Sequence, residues 1–551
     1  MSHSLLQHFP ESYTPNTAQV KLLANIDQAF KDGYKFVVCC APTGSGKSFI
    51  SKTISNSSKE PSNEFVELIT SYNAFKHGHG GGYTSADECS DTPSFGAFAL
   101  TITKSLQDQY KEMFDDISVL KGKSNYKCVV DDNYNVEMAP CAVLKSLKED
   151  CWSKNKCPYY NSRNQALIST FATLNYNMFF SLPDHVKRRE YLVCDEASEL
   201  EDQLVKQFTC TINFDVLRKS EIVISPFDSS NYSKAYKWVS LMKNRINERI
   251  DIIKELVKRG VSSKGGKLAS KNHVDNLKTE IINLRGILTK LNILEETWSF
   301  CEYIFETDIK SISFVPLKVD KLSKFLFNFG DKVVLMSATI IDHKNYCKSL
   351  GIEKYKYIEV DSSFDAKNAP IYVNTKVKLC YSNLNQNLPN LKKQIMEICE
   401  YHKNEKGLIH THTNTITNYL NRNINEKRFL FREPGVNNED ILLQHYESSD
   451  PTVLVSPSMG YGVDLKDDLA RFQIIIKAPY LPMNDKRIEK LMKLDASWYT
   501  NKMLGTLIQS CGRAVRSKLD YCATYILDGA IIESVIKNKN KLPKYFLDRF
   551  V

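Results

Sequence analysis

Lys35-Phe-Val-Val-Cys-Cys-Ala-Pro-Thr-Gly-Ser-Gly-Lys47-Ser48 is the stretch that decides the fold. Lys35–Ala41 is an apolar run of the kind buried in a parallel sheet, and it leads straight into a Gly-containing turn and a helix starting near Lys47. Gly44 and Gly46 let backbone N–H groups turn inward around phosphate oxygens, with Thr43 and Ser45 completing the loop. Lys47 supplies a point charge for the β- and γ-phosphates, and the Ser48 hydroxyl can ligate Mg²⁺. The following helix adds the partial positive charge of its N-terminus. Strand, loop and helix in this order imply an ATP site; the bland alternative is a Gly/Ser turn that happens to fit.

Working outward, short apolar runs recur at Gly96–Thr103, Tyr191–Cys194 and Lys332–Met336. A second series follows at Gly407–His410, Thr452–Val455, Phe472–Lys477 and Ala523–Leu527. Helix-like segments separate the members of each series, so the fold class is α/β with two parallel-sheet domains. Three stretches interrupt the pattern. His77–Phe95 reads as a loop, Lys121–Arg163 is rich in Lys, Asn, Tyr and Cys, and Val205–Phe325 reads as largely helical. Within the last, Ala235–Val257 and Asn272–Ile293 are amphipathic and suggest a helical hairpin.

Tyr191-Leu-Val-Cys-Asp195-Glu196-Ala-Ser198 is an apolar strand ending in paired carboxylates. Behind a phosphate loop, Asp195 would hold Mg²⁺ through water and Glu196 would polarise the attacking water. Ser337-Ala-Thr339 follows another strand, where small hydroxyls could couple the phosphate site to a distant surface; a plain helix cap is the alternative. Gln509-Ser-Cys-Gly512-Arg513-Ala-Val-Arg516 is more specific. Arg513 and Arg516 lie three apart, which on a helix puts both guanidinium groups on one face as arginine fingers, or simply as a solvated basic surface.

Cys128, Cys141, Cys151 and Cys157 fall in a polar region, whereas Cys39, Cys40, Cys194, Cys399 and Cys522 sit in apolar runs and read as core. Four thiolates can hold zinc or an iron–sulfur cluster. The gaps of twelve, nine and five residues disfavour zinc, which usually shows two short pairs, and unrelated buried thiols are the remaining alternative.

The order of these motifs resembles a superfamily 2 helicase with two RecA-like motor domains. Gln19 matches the adenine-reading glutamine of such enzymes, and Leu100–Gln109 resembles their DNA-backbone motif. Ser456-Pro-Ser-Met-Gly460-Tyr-Gly462-Val-Asp464 resembles the motif joining DNA contact to ATP hydrolysis. The placement of four cysteines between Thr103–Lys104 and Asp195–Glu196 resembles the XPD/DinG group, as do the lead-in Lys121–Cys128 and the pair Asn175-Tyr176. That resemblance implies a [4Fe–4S] domain on Cys128, Cys141, Cys151 and Cys157, and an arch domain. The implied organisation is motor domain 1 at 1–120, 166–204 and 326–345, the cluster domain at 121–165, the arch at 205–325 and motor domain 2 at 346–551. It further implies a monomeric ATP-dependent DNA helicase moving 5′→3′ on single-stranded DNA and opening forked or overhang duplexes. The resemblance departs at Ser198, where the group has His; a hydroxyl can still relay a hydrogen bond. Two rivals share these motifs, an ATP-dependent nucleic-acid-binding switch and an RNA helicase, the latter generally lacking an inserted cluster.

The formal net charge of +9 on 551 residues fits a polyanionic partner without requiring one. Lys121, Lys123, Tyr126, Lys127, Trp152, Lys154, Lys156, Tyr159, Tyr160 and Arg163 interleave cations with aromatics. Such a set suits a strand-splitting wedge, and equally the core of a small domain. Lys243, Arg245, Arg249, Lys254, Lys258 and Arg259 on the hairpin read as a solvated face. Met1–Pro10 lacks the apolar core of a secretion signal and no run approaches the length of a membrane span, so a cytoplasmic or nucleoid location without membrane contact is expected.

Overall fold

The computed structural model describes residues 4–42, 44–70, 94–139, 141, 157–262, 271–362, 365–373, 377–431, 438–457, 465, 467–512, 515 and 520–551. Sixteen strands make three sheets. In chain order they are β1 (Phe36–Cys40), β2 (Ala97–Thr101), β3 (Ser118–Leu120), β4 (Phe171–Asn175), β5 (Arg189–Asp195), β6 (Cys210–Asn213), β7 (Tyr303–Thr307) and β8 (Ser311–Pro316). They continue as β9 (Gly330–Ser337), β10 (Tyr355–Glu359), β11 (Ile371–Val373), β12 (Gly407–His410), β13 (Phe429–Phe431), β14 (Val453–Ser456), β15 (Phe472–Ile475) and β16 (Ala523–Ile526).

The first sheet runs β10-β1-β9-β5-β2-β4-β3 and the second β11-β16-β15-β12-β14-β13. Every pairing in both is parallel. The apolar runs explain this: β1, β2, β5, β9, β12 and β14 are buried almost end to end, as strands covered by helices on both faces must be. In register, Cys40 of β1 lies beside Ser337 of β9, and Met336 beside Asp195 of β5. Three motif-bearing strand ends therefore stand side by side at the carboxyl edge of one sheet, where parallel α/β folds place their ligands.

The segment 205–325 departs from its helical expectation. Its hairpin is longer than the periodicity indicated, Tyr232–Ser262 and Lys271–Thr297, zipped by Val239, Ile246 and Ile253 with Ile281, Leu284 and Leu291 in one core. Beneath it lies an antiparallel sheet, β6-β8-β7. Its strands alternate buried and open positions over only four to six residues, too short a signal to stand out beside the long helices. Another departure is β10, which pairs with β1 although it follows residue 345, where the first motor domain was expected to end. The hairpin cations form ion pairs within the domain: Lys243 with Glu295, Arg249 with Glu221 and Glu280, and Lys254 with Asp251. Cys39, Cys40, Cys194, Cys399 and Cys522 are all buried, as their apolar settings indicated. Among the described residues no helix is long and apolar enough to cross a membrane.

Candidate active site

A cleft of about 750 Å³ opens between the two parallel-sheet lobes. Its walls include Gly44, Gly46, Lys47, Ser48, Asp195 and Glu196 from the first lobe, Thr339 after β9, and Gln509 from the second. Thr43 lies outside the described residues, as do Asp464, Arg513, Arg516 and Cys151.

The phosphate loop forms because its two glycines accept what other residues resist. Gly44 and Gly46 both have φ of 77°, in the left-handed region, and Gly46 caps the helix Lys47–Asn56. Ser45 Oγ within the loop is buried and has no hydrogen-bond partner, which suits a phosphate-binding turn. Lys47 Nζ faces Glu196 Oε1 at 3.9 Å.

At the end of β5 the chain turns sharply, with Glu196 at φ 49°, a strained conformation for a residue with a side chain. The turn projects Glu196 into the cleft and leaves Asp195 only 5% exposed. Asp195 Oδ1 accepts from its neighbour's N–H at 3.0 Å, and Oδ2 accepts from the Tyr110 hydroxyl at 3.2 Å. Burial first, then the adjacent Glu196 charge, raise the Asp195 pKa to about 6, with Lys47 opposing. A second positive charge on its open side would return Asp195 to its ionised form. Asp195 and the Ser48 hydroxyl thus fit a Mg²⁺ site in residue type and position.

Gln19 has a different setting from the one expected of an adenine reader. Its side-chain oxygen accepts from Asn16 N at 2.8 Å, and its amide donates to Gly46 O at 3.3 Å. Both ends of the carboxamide are engaged, so Gln19 caps the helix Thr17–Lys31 and braces the phosphate loop. A Cβ on Gly46 would stand 2.1 Å from Gln19 Nε2, which shows how closely the two pack.

The lobes meet through hydroxyls. Gln509 Nε2 lies 3.1 Å from Ser198 Oγ and 3.1 Å from Thr339 Oγ1, and Ser337 Oγ donates to Ser198 Oγ at 2.9 Å. Ser198, in the position where a His was the family expectation, is thus the centre of a relay joining the Ser337–Thr339 turn to the second lobe, two residues along the chain from Glu196. Ser198→Ala removes two neutral hydrogen bonds from that relay, together worth about 2 kcal/mol or roughly thirtyfold in rate. The expected outcome is a fall of that size in stimulated ATP turnover with little change in KM, read by steady-state kinetics.

The helix Ala496–Cys511 ends at Cys511 with Gly512 as its cap, and Val515 is not helical. The expectation that Arg513 and Arg516 share one helix face lies outside the described residues. Sequence reasoning also missed Tyr110, Tyr545 and Arg549. The Tyr545 hydroxyl donates to Ala338 O at 2.6 Å, and Arg549 donates to Cys511 O at 3.0 Å and to Ala369 O at 2.6 Å. These C-terminal residues line the cleft without any motif spacing that could have marked them.

In the cysteine-bearing segment, Cys128 and Cys157 are buried and Cys141 is half-buried. Burial and Arg163 lower the Lys123 pKa while Cys141 and Cys157 both oppose this, so these two thiols share one cation as neighbour. Soft thiols beside buried cations suit an anionic iron–sulfur centre in chemistry. Among the described residues, however, no group of three or more His, Cys, Asp or Glu is gathered closely enough to hold a metal. The fit is therefore one of donor chemistry, with Cys151 outside the described residues. Tyr159 and Tyr160 are buried and pack edge to face against each other, so they serve this segment's own core.

Parallel sheets with a phosphate loop, an acid pair and a cross-lobe glutamine define a RecA-like motor fold. Residues 408–547 match the family described as helicase C-terminal domain. A probable ATP-dependent helicase of Methanocaldococcus jannaschii is 20% identical, over 78% of this chain and 84% of its own. The ATP-dependent DNA helicase CHL1 of Vanderwaltozyma polyspora is 22% identical over 70% of this chain, which spans 57% of that relative. Among solved structures, one titled XPD helicase aligns over 96% of this chain and 99% of its own, with TM-score 0.62 and 15% identity. Another, Xpd4 of S. tokodaii, gives TM-score 0.52 and 17% identity over 96% of this chain and 99% of its own. The second lobe thus carries a match to a helicase C-terminal domain, and the fold over nearly the whole chain is that of the XPD structures.

Proposed function

We propose that the chain couples ATP hydrolysis to 5′→3′ movement on single-stranded DNA and to opening of forked or overhang duplexes. The observation that carries this reading is the relay Ser337–Ser198–Gln509–Thr339, which ties the turn after β9 and the chain just beyond Asp195–Glu196 to the opposite lobe. Lys47 holds the β- and γ-phosphates as a point charge, and Glu196 accepts a proton from the attacking water. Ser48 and Asp195 would hold Mg²⁺, which supplies charge neutralisation on the phosphate oxygens when bound. Gln509 meets the site only when the lobes are together, so its hydrogen bonds register closure. Arg513 and Arg516 would stabilise transition-state charge from the second lobe, and Asp464 would join DNA contact to hydrolysis.

Cys128, Cys141, Cys151 and Cys157 would hold a [4Fe–4S] cluster that braces the segment between the motor strands. Iron quantification on the purified chain checks this, with about four irons per chain expected for such a cluster; iron-free protein of full activity counts against it.

Polarity and unwinding are tested by strand displacement on duplexes carrying a 5′ or a 3′ overhang, with ATP and Mg²⁺. The 5′-overhang substrate is expected to open and the 3′-overhang substrate to remain paired. Opening of neither, with ATP turnover intact, would make the chain an ATP-dependent switch; preference for an RNA strand would make it an RNA motor.

A further inference from the structure

Glu201 begins the helix Leu200–Phe208, five residues beyond Glu196, and is only 6% exposed. Its carboxylate belongs to the first lobe, yet the side chains it bonds come from the second. Arg487 Nη2 donates to Oε1 at 2.9 Å, Trp498 Nε1 to Oε2 at 2.9 Å, and Lys502 Nζ lies 3.3 Å from Oε2. Lys502 also reaches Asp202 at 2.9 Å, and Arg487 Nε donates to Pro316 O of β8 at 3.0 Å. One cluster of two acids and two cations, with Glu201 and Arg487 buried at its centre and Asp202 at its exposed rim, therefore joins both lobes and the base of the arch.

Burying charge is costly, and such a cluster adds little stability over apolar packing; what it fixes is geometry. Trp498, Lys502, Gly505 and Gln509 recur at helical spacing along Ala496–Cys511, so anchor and cleft glutamine share one face. From Lys502 to Gln509 is about 10 Å along the axis. Between them sits a cavity of about 140 Å³, lined by Ser198, Thr339, Asn345, Asn501 and Gly505. A Cβ on Gly505 would come no nearer than 3.9 Å to Thr339 O. The N-terminal end is held again by Asn345, whose amide donates to the capping residue Asp495 at 2.8 Å. One end of the helix is thus clamped to the first lobe, while toward the other Leu504, Leu507, Ile508 and Cys511 are buried in the second lobe's core and Gln509 reaches across the cleft to Ser198 and Thr339.

We propose that Glu201 is a positioning residue, the pivot about which the second lobe, carrying the helix Ala496–Cys511, turns when the lobes close. It converts lobe closure into a single arc of Gln509 toward Ser198 and Thr339. For its turnover readout this inference rests on the motor reading above; for its structural readout it needs only nucleotide binding.

The test is hydrogen exchange on the full chain, with and without the non-hydrolysable analogue AMP-PNP, for the unaltered protein and Glu201→Gln. In the unaltered protein the Trp498–Lys502 amides are expected to be slow and indifferent to the analogue, while Thr506–Gly512 slows further. Glu201→Gln is expected to speed exchange at Trp498–Lys502 by about tenfold or more. It should also lower DNA-stimulated kcat about tenfold with KM for ATP within about twofold. Arg487→Met added to Glu201→Gln is expected to cost little more, since both act on one unit. Glu302→Gln, which removes the exposed pair with Lys490, is the control and should be silent. Unchanged exchange and turnover in Glu201→Gln overturns the pivot, as does equal acceleration across β12–β16, which would mean general destabilisation. Absence of DNA stimulation in the unaltered protein would sink the motor reading alone, leaving the exchange pattern to decide the pivot.

Discussion

Lys47→Ala is expected to lower ATP turnover by roughly a hundredfold to a thousandfold, the range seen when one preorganised electrostatic group is removed from a developing charge. Lys47 leads the helix after a loop whose two left-handed glycines turn its backbone into the cleft, and its ammonium faces Glu196 at 3.9 Å. Alanine keeps the helix, since Gly46 caps it without a side chain. Folding, checked by circular dichroism and thermal melting, should therefore be unchanged while steady-state ATPase collapses. A variant retaining a third of its activity would mean that the loop does not cradle the transferred phosphate.

Glu196→Gln is expected to cost about 10²- to 10⁴-fold in kcat, the usual contribution of a positioned base, with ATP binding retained. The amide cannot take a proton from water, but its size is nearly that of the acid, and the strained φ of 49° makes no demand on charge. Removing the neighbouring negative charge also relieves one of the causes that raise the Asp195 pKa, so Asp195 should titrate lower in the variant. The two effects separate in pre-steady-state kinetics: binding of a fluorescent ATP analogue persists, and the hydrolytic burst disappears. Loss of binding together with hydrolysis would instead assign Glu196 to holding the nucleotide.

Motifs whose chemistry depends on fixed local spacing could be read before any coordinates. The phosphate loop is one, because the glycines, Lys47 and Ser48 work only at their mutual distances along the chain. Asp195–Glu196 at a strand end is another, and Ser337–Thr339 with Gln509 assembled as the motif order implied. Gln19 illustrates the limit. Its type and place matched a base reader, but Asn16 three residues earlier offered a capping box, and the box engages its side-chain oxygen. Tyr110, Tyr545, Arg549 and Glu201 reach the site only through tertiary contacts with partners from 38 to 297 residues away, a separation no local pattern encodes.

The same reasoning explains errors of fold. β10 alternates buried and open positions weakly and joins the first sheet only because β1 offers it an edge. Tyr159 and Tyr160 could serve nucleic acid or core equally by composition, and packing decided for core.

ATP turnover with and without single-stranded DNA tests the central claim most directly, because the relay from Ser337 through Ser198 to Gln509, beside the acid pair, has a purpose only if something outside the cleft governs closure. Stimulation of about tenfold or more on adding single-stranded DNA is the expected result. Turnover that is equally fast with DNA, with RNA and with neither would contradict it.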